Sequence, residues 1–441
     1  MQDIQILSNK IKKCTATVGI LGLGQVGLPT ALSALNAGFS VIGIDLNRKL
    51  INTIKSGVSP LPESGFDNLI KKYTTKKLLK VSTSTSLLNK TDLIMICVPT
   101  PLDDSTLTPE LTLLKTALKD VSLSLSKIKL IIVESTIPPN TMKNIIIPTL
   151  EEGSGRKAGK DFFLAYCPER ISPGNALIEF TNNDRIIGAD DARSSRLASD
   201  FLKKMTKGNI TIAESSAAAE LSKLAENSFR DINIAFANEL ALICEDSGAD
   251  IMEVIRLANT HPRVNIHTPG PGVGGPCLPK DPYLLVSGWN KKRSLIKLAR
   301  ETNDSMPHHV VSTLIEECKN LKIPEKKILL LGISYKAGVN DVRYSPTKEI
   351  ISLLRKEGYQ NLYSHDPYTT ESFDTITIKG DLIMQLNRFD CIVTITGHPI
   401  YQKIKAEYFR DGAIIIDAAR IFHKKDYANK PLIYRALGSA S

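Results

Sequence analysis

The chain lacks the marks of several whole classes of protein. No uninterrupted apolar run reaches the length of a bilayer span, which argues against transmembrane helices. The N-terminal stretch MQDIQILSNKIKKC has no apolar core of the secretory kind, so no leader is expected. Seven cysteines are scattered without a C-x-x-C pair or a Cys/His cluster of zinc spacing. That excludes a disulfide scaffold and a structural zinc site, and it fits a reducing, cytoplasmic compartment with no bound metal. Aromatic residues are only 6% of the chain, with a single Trp, and no long basic arm is present. A nucleic-acid role therefore rests on net charge alone.

What is present is ordinary globular material in quantity. The chain has 441 residues, 42% hydrophobic and 23% charged, more than one core needs. The formal charge of +10 comes from scattered pairs such as Lys12-Lys13, Lys71-Lys72 and Lys76-Lys77. It reads as a solvated surface with part of the charge reserved for an anionic ligand. Through about residue 200, short apolar runs (TVGILGLG, SVIGIDLN, DLIMICVP, LIIVEST, FFLAYCPE) alternate with helical patterns, which predicts parallel strands with crossover helices. Residues 215–258 read as long helix, broken at Gly248, and a Gly/Pro-rich loop covers 267–282. From near residue 324 the α/β texture returns in KKILLLGIS, NLYSHDP, DCIVTIT and AIIIDAA. The expected fold is α/β, with two Rossmann-like doubly wound domains joined by a central long-helix domain, divided at 1–205, 206–310 and 311–441.

The first strand runs into Gly22-Leu23-Gly24-Gln25-Val26-Gly27 and then a helix. In this spacing Gly22 permits a tight turn, Gly24 lets backbone approach a pyrophosphate, and Gly27 allows close helix packing. The helix N-terminus offers amides and a positive dipole end to the phosphates. Asp45 closes the next strand about twenty residues on, where a carboxylate accepts the ribose hydroxyls of NAD and repels the extra phosphate of NADP; Arg48 nearby softens that preference. The strand ends Cys97-Val98-Pro99-Thr100 and Glu134-Ser135-Thr136 are expected to line the same crevice. The second α/β region has GISYKAGVND where the first has its glycines, so both regions are expected to bind nucleotides, but different ones.

Cys277 lies in PGPGVGGPCLPKD, among glycines and followed by Lys280 and Asp281. A neighbouring ammonium favours the thiolate, the nucleophilic form. Thiolate attack on an aldehyde gives a thiohemiacetal, hydride loss a thioester, and water then releases an acid. The other cysteines (Cys14, Cys97, Cys244, Cys318, Cys391) read as small buried hydrophobes, and Cys167 as packing. In AELSKLAENSF, Lys223 and Asn227 share a helix face and can hold a substrate oxygen, with Leu221, Leu224 and Ala225 marking the packed side. The plainer alternative is that Glu220, Lys223 and Glu226 form an exposed charge ladder.

Taken together, GLGQVGLP, CVPTPL, YCPERISPGN, AELSKLAENSFRDINIAFANE, HPRVN, GPGVGGPCLPKDP and GISYKAGVNDVRYSP resemble the UDP-glucose/GDP-mannose dehydrogenase family over nearly the whole chain. The resemblance implies a two-step oxidation in which a nucleotide sugar's C6 alcohol becomes a carboxylate and two NAD are reduced. It makes Cys277 the nucleophile, Lys223 and Asn227 the holders of the reacting oxygen, and Asp281 the acid that assists water. The resemblance also implies that Glu169, with Arg170 beside it, stands next to the substrate as base or in thioester hydrolysis, and that Thr136 stands near the reacting centre. Gly22, Gly24, Gln25, Val26, Gly27, Asp45, Arg48, Val98, Pro99, Thr100, Ser135, Thr136, Lys280 and Arg343 are implied on the NAD side. Gly274, Lys336 and Arg420 are implied on the sugar-nucleotide side, with Arg263 reaching a partner subunit's site. The central helix is implied to form a homodimer. The implied domain roles are NAD binding, dimerisation with the Cys loop, and UDP-sugar binding.

Two longer segments, CPERISPGN and NSFRDINIAFANELALICE, resemble members acting on UDP-N-acetylhexosamines, UDP-N-acetylmannosamine first, with UDP-N-acetylglucosamine and UDP-glucose as alternatives. Pro276 departs from the His that many acetamido-sugar members carry, and Lys280-Asp281 resembles the UDP-glucose branch. Two other readings stay open. A two-electron β-hydroxyacid dehydrogenase also uses a Lys-x-x-x-Asn pair but needs neither thiol nor third domain. A non-catalytic sugar-nucleotide sensor would form no NADH.

Overall fold

A computed structural model describes residues 2–172, 174–289, 293–319 and 326–439. The start of the third region, near residue 324, lies outside the described residues. The chain divides into two compact units, residues 1–225 with 283–288, and 226–282 with 289–441.

The first unit carries a six-stranded, all-parallel sheet: β1 (Thr17–Leu21), β2 (Ser40–Ile44), β3 (Leu79–Ser82), β4 (Leu93–Ile96), β5 (Leu130–Val133) and β6 (Phe163–Tyr166). The spatial order is β3-β2-β1-β4-β5-β6, with Val18 paired to both Val41 and Leu93. Both faces are covered over the inner strands, which are apolar almost throughout, and alternate residues enter different cores, whereas the edge strand β3 carries an exposed Lys80. Leu93 and Met95 pack on one side, Ile94 and Ile96 on the other, all without solvent exposure. Burial of each such side chain contributes about 1.5–3 kcal/mol. Lys129, just before β5, is fully buried. Its Nζ donates to Leu88 O at 2.8 Å and Thr91 O at 2.5 Å, and burial, then the charge of Lys127, pulls its pKa down to about 8. A small parallel pair follows, β7 (Arg185–Ile187) with β8 (Ile210–Ile212).

The second unit repeats the sheet order with β9 (Ile328–Leu331), β10 (Leu362–His365), β11 (Ile376–Thr377), β12 (Cys391–Thr394), β13 (Ile414–Asp417) and β14 (Ile433–Ala436), arranged β11-β10-β9-β12-β13-β14. Its helical part joins the end of the long helix Ser216–Ser247 to the helices Ile251–Ala258 and Leu295–Lys319 through Ala241, Cys244, Ile251, Ile255 and Met306. Gly248 ends the long helix at φ +80°, as its place in the sequence suggests. Asp250 caps the next helix by accepting from Met252 N and Glu253 N.

The long helix overturns one expectation. Leu221, Ala225 and Phe229 are exposed, whereas Glu220, Lys223, Leu224, Asn227, Ser228 and Asp231 are buried. Leu224 packs inward as expected, but Leu221 and Ala225 do not, because polar side chains take much of the packed face in this stretch. The charge-ladder alternative is excluded as well, because Lys223 is 5% exposed and Glu220 wholly buried. No helix among the described residues is long and apolar enough to cross a membrane, and no His/Cys/Asp/Glu group there suits a metal.

Candidate active site

In the first unit two of the three glycines of the fingerprint are fixed by contact and the third is open. Gly22 has φ +91°, and a Cβ there would stand 2.7 Å from Cys97 O. A Cβ on Gly27 would meet Gly22 O at 1.8 Å, so the helix Gly27–Asn36 starts hard against the turn. Gly24 has nothing within 4 Å of its Cβ direction, which leaves its backbone approachable. Gln25 is exposed and Val26 half-buried beside it. Asp45 Oδ2 accepts Leu23 N at 2.8 Å and Oδ1 accepts Asn47 N at 2.8 Å, while the residue remains partly exposed. Arg48 is exposed at the start of the helix Arg48–Lys55. An open glycine, a helix start and a partly exposed carboxylate fit a dinucleotide.

Two crosslinks join the ends of β4 and β5. Ser135 Oγ donates to Val98 O at 2.7 Å, and Thr100 Oγ1 to Thr136 O at 2.6 Å, with Pro99 exposed between. Glu134, at a strand end expected on the crevice, is instead buried beneath it, beside Cys97, which is buried as its reading as a small hydrophobe implies. Cys97 Sγ donates to Glu134 Oε2 at 3.2 Å, and Thr30 Oγ1 to the same oxygen at 2.8 Å. Burial pushes the Glu134 carboxyl up, opposed by Arg185, whose Nη1 is 3.8 Å away. Arg185 is itself 1% exposed and lies over the Phe180 ring at 4.0 Å. The sequence reading missed this cluster, since no spacing marks an interior ion pair.

At the end of β6, Glu169 is buried and its Oε1 accepts Ile171 N. Arg170 Nη1 donates to Asp184 O at 3.2 Å. Lys223 stands one turn before Asn227 on the long helix. Glu220, also unforeseen as a buried group, accepts Asn140 N at 2.6 Å and Met142 N at 2.7 Å. Burial outweighs those amides and raises its pKa to about 7.

In the second unit, Cys277 is half-buried, whereas Cys244, Cys318 and Cys391 there, and Cys97 and Cys167 in the first unit, are buried. Cys14, expected in the interior, is also only partly buried, at φ +55° after the first helix. The amides of Lys280 and Asp281 donate to Cys277 O at 3.0 and 2.8 Å, folding the segment into a turn. Asn227 Nδ2 donates to Asp281 Oδ2 at 2.6 Å, and Lys280 Nζ lies 3.9 Å from Asp281 Oδ1. Asp281 is 1% exposed. The thiol segment, the acid and the amide are thus tied together. The loop's glycines serve protein contact: a Cβ on Gly274 or Gly275 would lie 2.7 Å from the Tyr335 side chain. Gly275 N donates to Arg343 O at 2.9 Å. Asp341 holds the Arg343 guanidinium bidentately and keeps its pKa raised against burial.

The outlying residues fall elsewhere. Lys336 is exposed in the loop after β9, and Arg263 is exposed after the helix Ile251–Ala258. Arg420, at φ +54°, places Nη2 2.8 and 2.6 Å from the two Asp250 oxygens and donates from Nη1 to Leu437 O.

Comparison with known proteins agrees with this layout. Three descriptions of the UDP-glucose/GDP-mannose dehydrogenase family match in order: the NAD binding domain over residues 16–228, the central domain over 217–305 and the UDP binding domain over 329–424. A UDP-N-acetyl-D-mannosamine dehydrogenase of Pyrococcus horikoshii is 37% identical over 428 residues, 96% of this chain and 99% of that one. Its structure matches with a TM-score of 0.87. An NDP-N-acetyl-D-galactosaminuronic acid dehydrogenase of Ralstonia solanacearum is 33% identical, covering 93% of this chain and 97% of that one. The structure of a UDP-glucose dehydrogenase from Pyrobaculum islandicum matches with a TM-score of 0.86 at 26% identity, covering 97% of this chain and 98% of that one. The chain belongs to the UDP-glucose/GDP-mannose dehydrogenase family and is an NAD-dependent oxidoreductase acting on nucleotide sugars.

Proposed function

We propose that the substrate is a UDP-N-acetylhexosamine, UDP-N-acetylmannosamine in the first place, and that its C6 hydroxyl is oxidised to the carboxylate by four electrons. The observation that carries the chemistry is the bonded set around Cys277: a partly accessible thiol on a turn, with Asp281 buried behind it and held by Asn227 at 2.6 Å. The relatives named for UDP-N-acetyl-D-mannosamine support the choice of sugar.

NAD, when bound, accepts one hydride in each oxidation. Lys223 and Asn227 hold the C6 oxygen, the ammonium favouring its alkoxide character. At the aldehyde stage the Cys277 sulfur bonds to C6 and the carbonyl oxygen takes a proton, giving a thiohemiacetal. Loss of the second hydride and of that proton leaves a thioester. Water assisted by Asp281 or Glu169 adds to C6, the C–S bond breaks, and carboxylate and thiol separate. One alcohol, two NAD and one water thus give one carboxylate, two NADH and three protons.

Lys336, Gly274 and Arg420 serve the sugar nucleotide in this reading, with Thr136, Lys280 and Arg343 near the cofactor and Arg170 near the sugar. We take residues 1–205, 206–310 and 311–441 as the functional domains and the cytoplasm as the compartment. The chain acts as a homodimer through the long helix, whose exposed Phe229, Phe236 and Ile243 recur every seven residues as an uncovered apolar stripe. In such a dimer Arg263 reaches the partner's site.

A panel of UDP-sugars and GDP-mannose, read as NADH formed per sugar consumed, tests the assignment. UDP-N-acetylmannosamine is expected to give two NADH and the highest kcat/KM. One NADH per product would establish two-electron chemistry instead, and GDP-mannose as best substrate would overturn the UDP assignment.

A further inference from the structure

The second sheet repeats a device of the first and then alters it. In both, a glycine of positive φ ends the opening strand, Gly22 at +91° and Gly332 at +103°. In both, that glycine's amide donates to the last carbonyl of the second strand, at 2.8 Å to Ile44 O and 2.9 Å to His365 O. The following amide goes to the aspartate just past that strand. Leu23 N donates to Asp45 Oδ2 at 2.8 Å, and Ile333 N to Asp366 Oδ2 at 2.8 Å.

Here the two part. Asp45 remains partly exposed. Each oxygen of either aspartate accepts a backbone amide, but the Asp366 side chain is 1% exposed and takes side-chain donors as well. Oδ1 accepts Tyr368 N at 2.8 Å and Thr369 N at 3.2 Å. Oδ2 also accepts Ser334 N at 2.9 Å, Ser334 Oγ at 3.0 Å and His398 Nε2 at 3.0 Å. The other nitrogen of His398 accepts Gly338 N at 3.3 Å, which places the proton of a neutral ring on Nε2. One fully buried imidazole therefore ties the aspartate to the far end of the loop that presents Lys336. Tyr368 stacks on it at 5.1 Å and Tyr401 closes its edge. Serine, histidine and aspartate meet here, but not as a hydrolytic triad. Ser334 and Asp366 both face Nε2, whereas a relay needs them on opposite nitrogens, and the group is sealed from solvent.

We propose that His398 is a positioning and specificity residue for the nucleotide end of the substrate. It occupies the acceptor that a dinucleotide's ribose would need on Asp366, and so disfavours NAD on this unit. It also fixes the loop on which Lys336 meets the diphosphate. The second half of this rests on the reading of Lys336 as a UDP contact.

The test uses the full chain and measures UDP and NAD affinities by calorimetry together with kcat and KM for the sugar nucleotide. His398→Ala is expected to raise the UDP Kd and the sugar-nucleotide KM about tenfold, the effect of one lost buried hydrogen bond, with kcat and the affinity of the first unit for NAD unchanged and a second, weaker NAD site appearing in the titration; NAD stoichiometry that stays at one per chain overturns the specificity half of the proposal. His398→Asn, whose carboxamide oxygen keeps an acceptor for Gly338 N, stays within about threefold of the parent, and His398→Gln behaves like Ala. If His398→Ala does not fold, the Asn and Gln variants decide between the outcomes. UDP binding unchanged in His398→Ala, or in both Asn and Gln, overturns the proposal. So does a parallel loss of kcat and NAD affinity in the folded variants, which marks a purely structural role. Unchanged UDP affinity in Lys336→Ala defeats the underlying UDP reading instead, whatever His398 does.

Discussion

At the scale of single residues, the interior of the first unit holds charge under tension. Glu220 titrates near 7 against an ordinary 4.5, because burial outweighs its two amide bonds. Between those values the folded chain keeps a proton that the unfolded chain releases, so its contribution to stability falls as pH rises through the window and levels off above 7. The full difference amounts to about 3 kcal/mol at most. Melting temperatures of parent and Glu220→Gln from pH 4.5 to 8.5 check this: the gap should move against the parent up to pH 7 and then stay constant. In the second unit, Asn227→Ala removes the donor to Asp281 Oδ2 and leaves a buried carboxylate oxygen unpaired. A kcat loss of about 10–100-fold is expected, with NAD affinity kept, by steady-state kinetics and cofactor titration. How legible these residues were depends on their physics. Gly22, Gly24, Gly27 and Asp45 follow from spacing because backbone geometry dictates them. Cys277 stands out by its neighbours. His398 and Glu220 do not, because their partners lie far along the chain, at Asp366 and at Asn140 and Met142.

At the scale of elements, strands were easier to read than the long helix. Buried parallel strands are apolar on both faces, so the runs in the sequence coincide with β1, β2, β4, β5 and β6. The helix Ser216–Ser247 was placed correctly, but only Leu224 of its expected packing residues lies inside, because the interior face also carries Lys223, Asn227 and Asp231 while Leu221 and Phe229 stay outside. If that outer stripe is an association surface, a charge in its middle should separate the protomers. Phe236→Glu is expected to shift the chain from dimer to monomer in sedimentation velocity; an unchanged sedimentation coefficient would rule out the stripe as the contact. On the fingerprint, Asp45→Ala should raise the KM for NAD about tenfold and narrow its advantage over NADP, by kinetics with both cofactors.

At the scale of the whole molecule, two units have the same strand order, and they carry the matches to the family's NAD binding and UDP binding domains. The order follows from alternating strand and helix patterns, whereas the exclusion of a second dinucleotide depends on side chains that periodicity does not reveal. Scanning calorimetry with NAD and with UDP should show each ligand raising a different part of the unfolding profile. At a hundredfold excess over Kd the added stability is about 2.7 kcal/mol for the unit that binds. Lys129 gives an independent gauge of the first unit. Burial lowers the basicity of this amine but also encloses it with the carbonyls of Leu88 and Thr91. Acylating reagents will therefore spare it while the sheet is closed and mark it whenever the sheet parts, so that its labelling rate, followed by mass spectrometry, becomes a clock for transient opening.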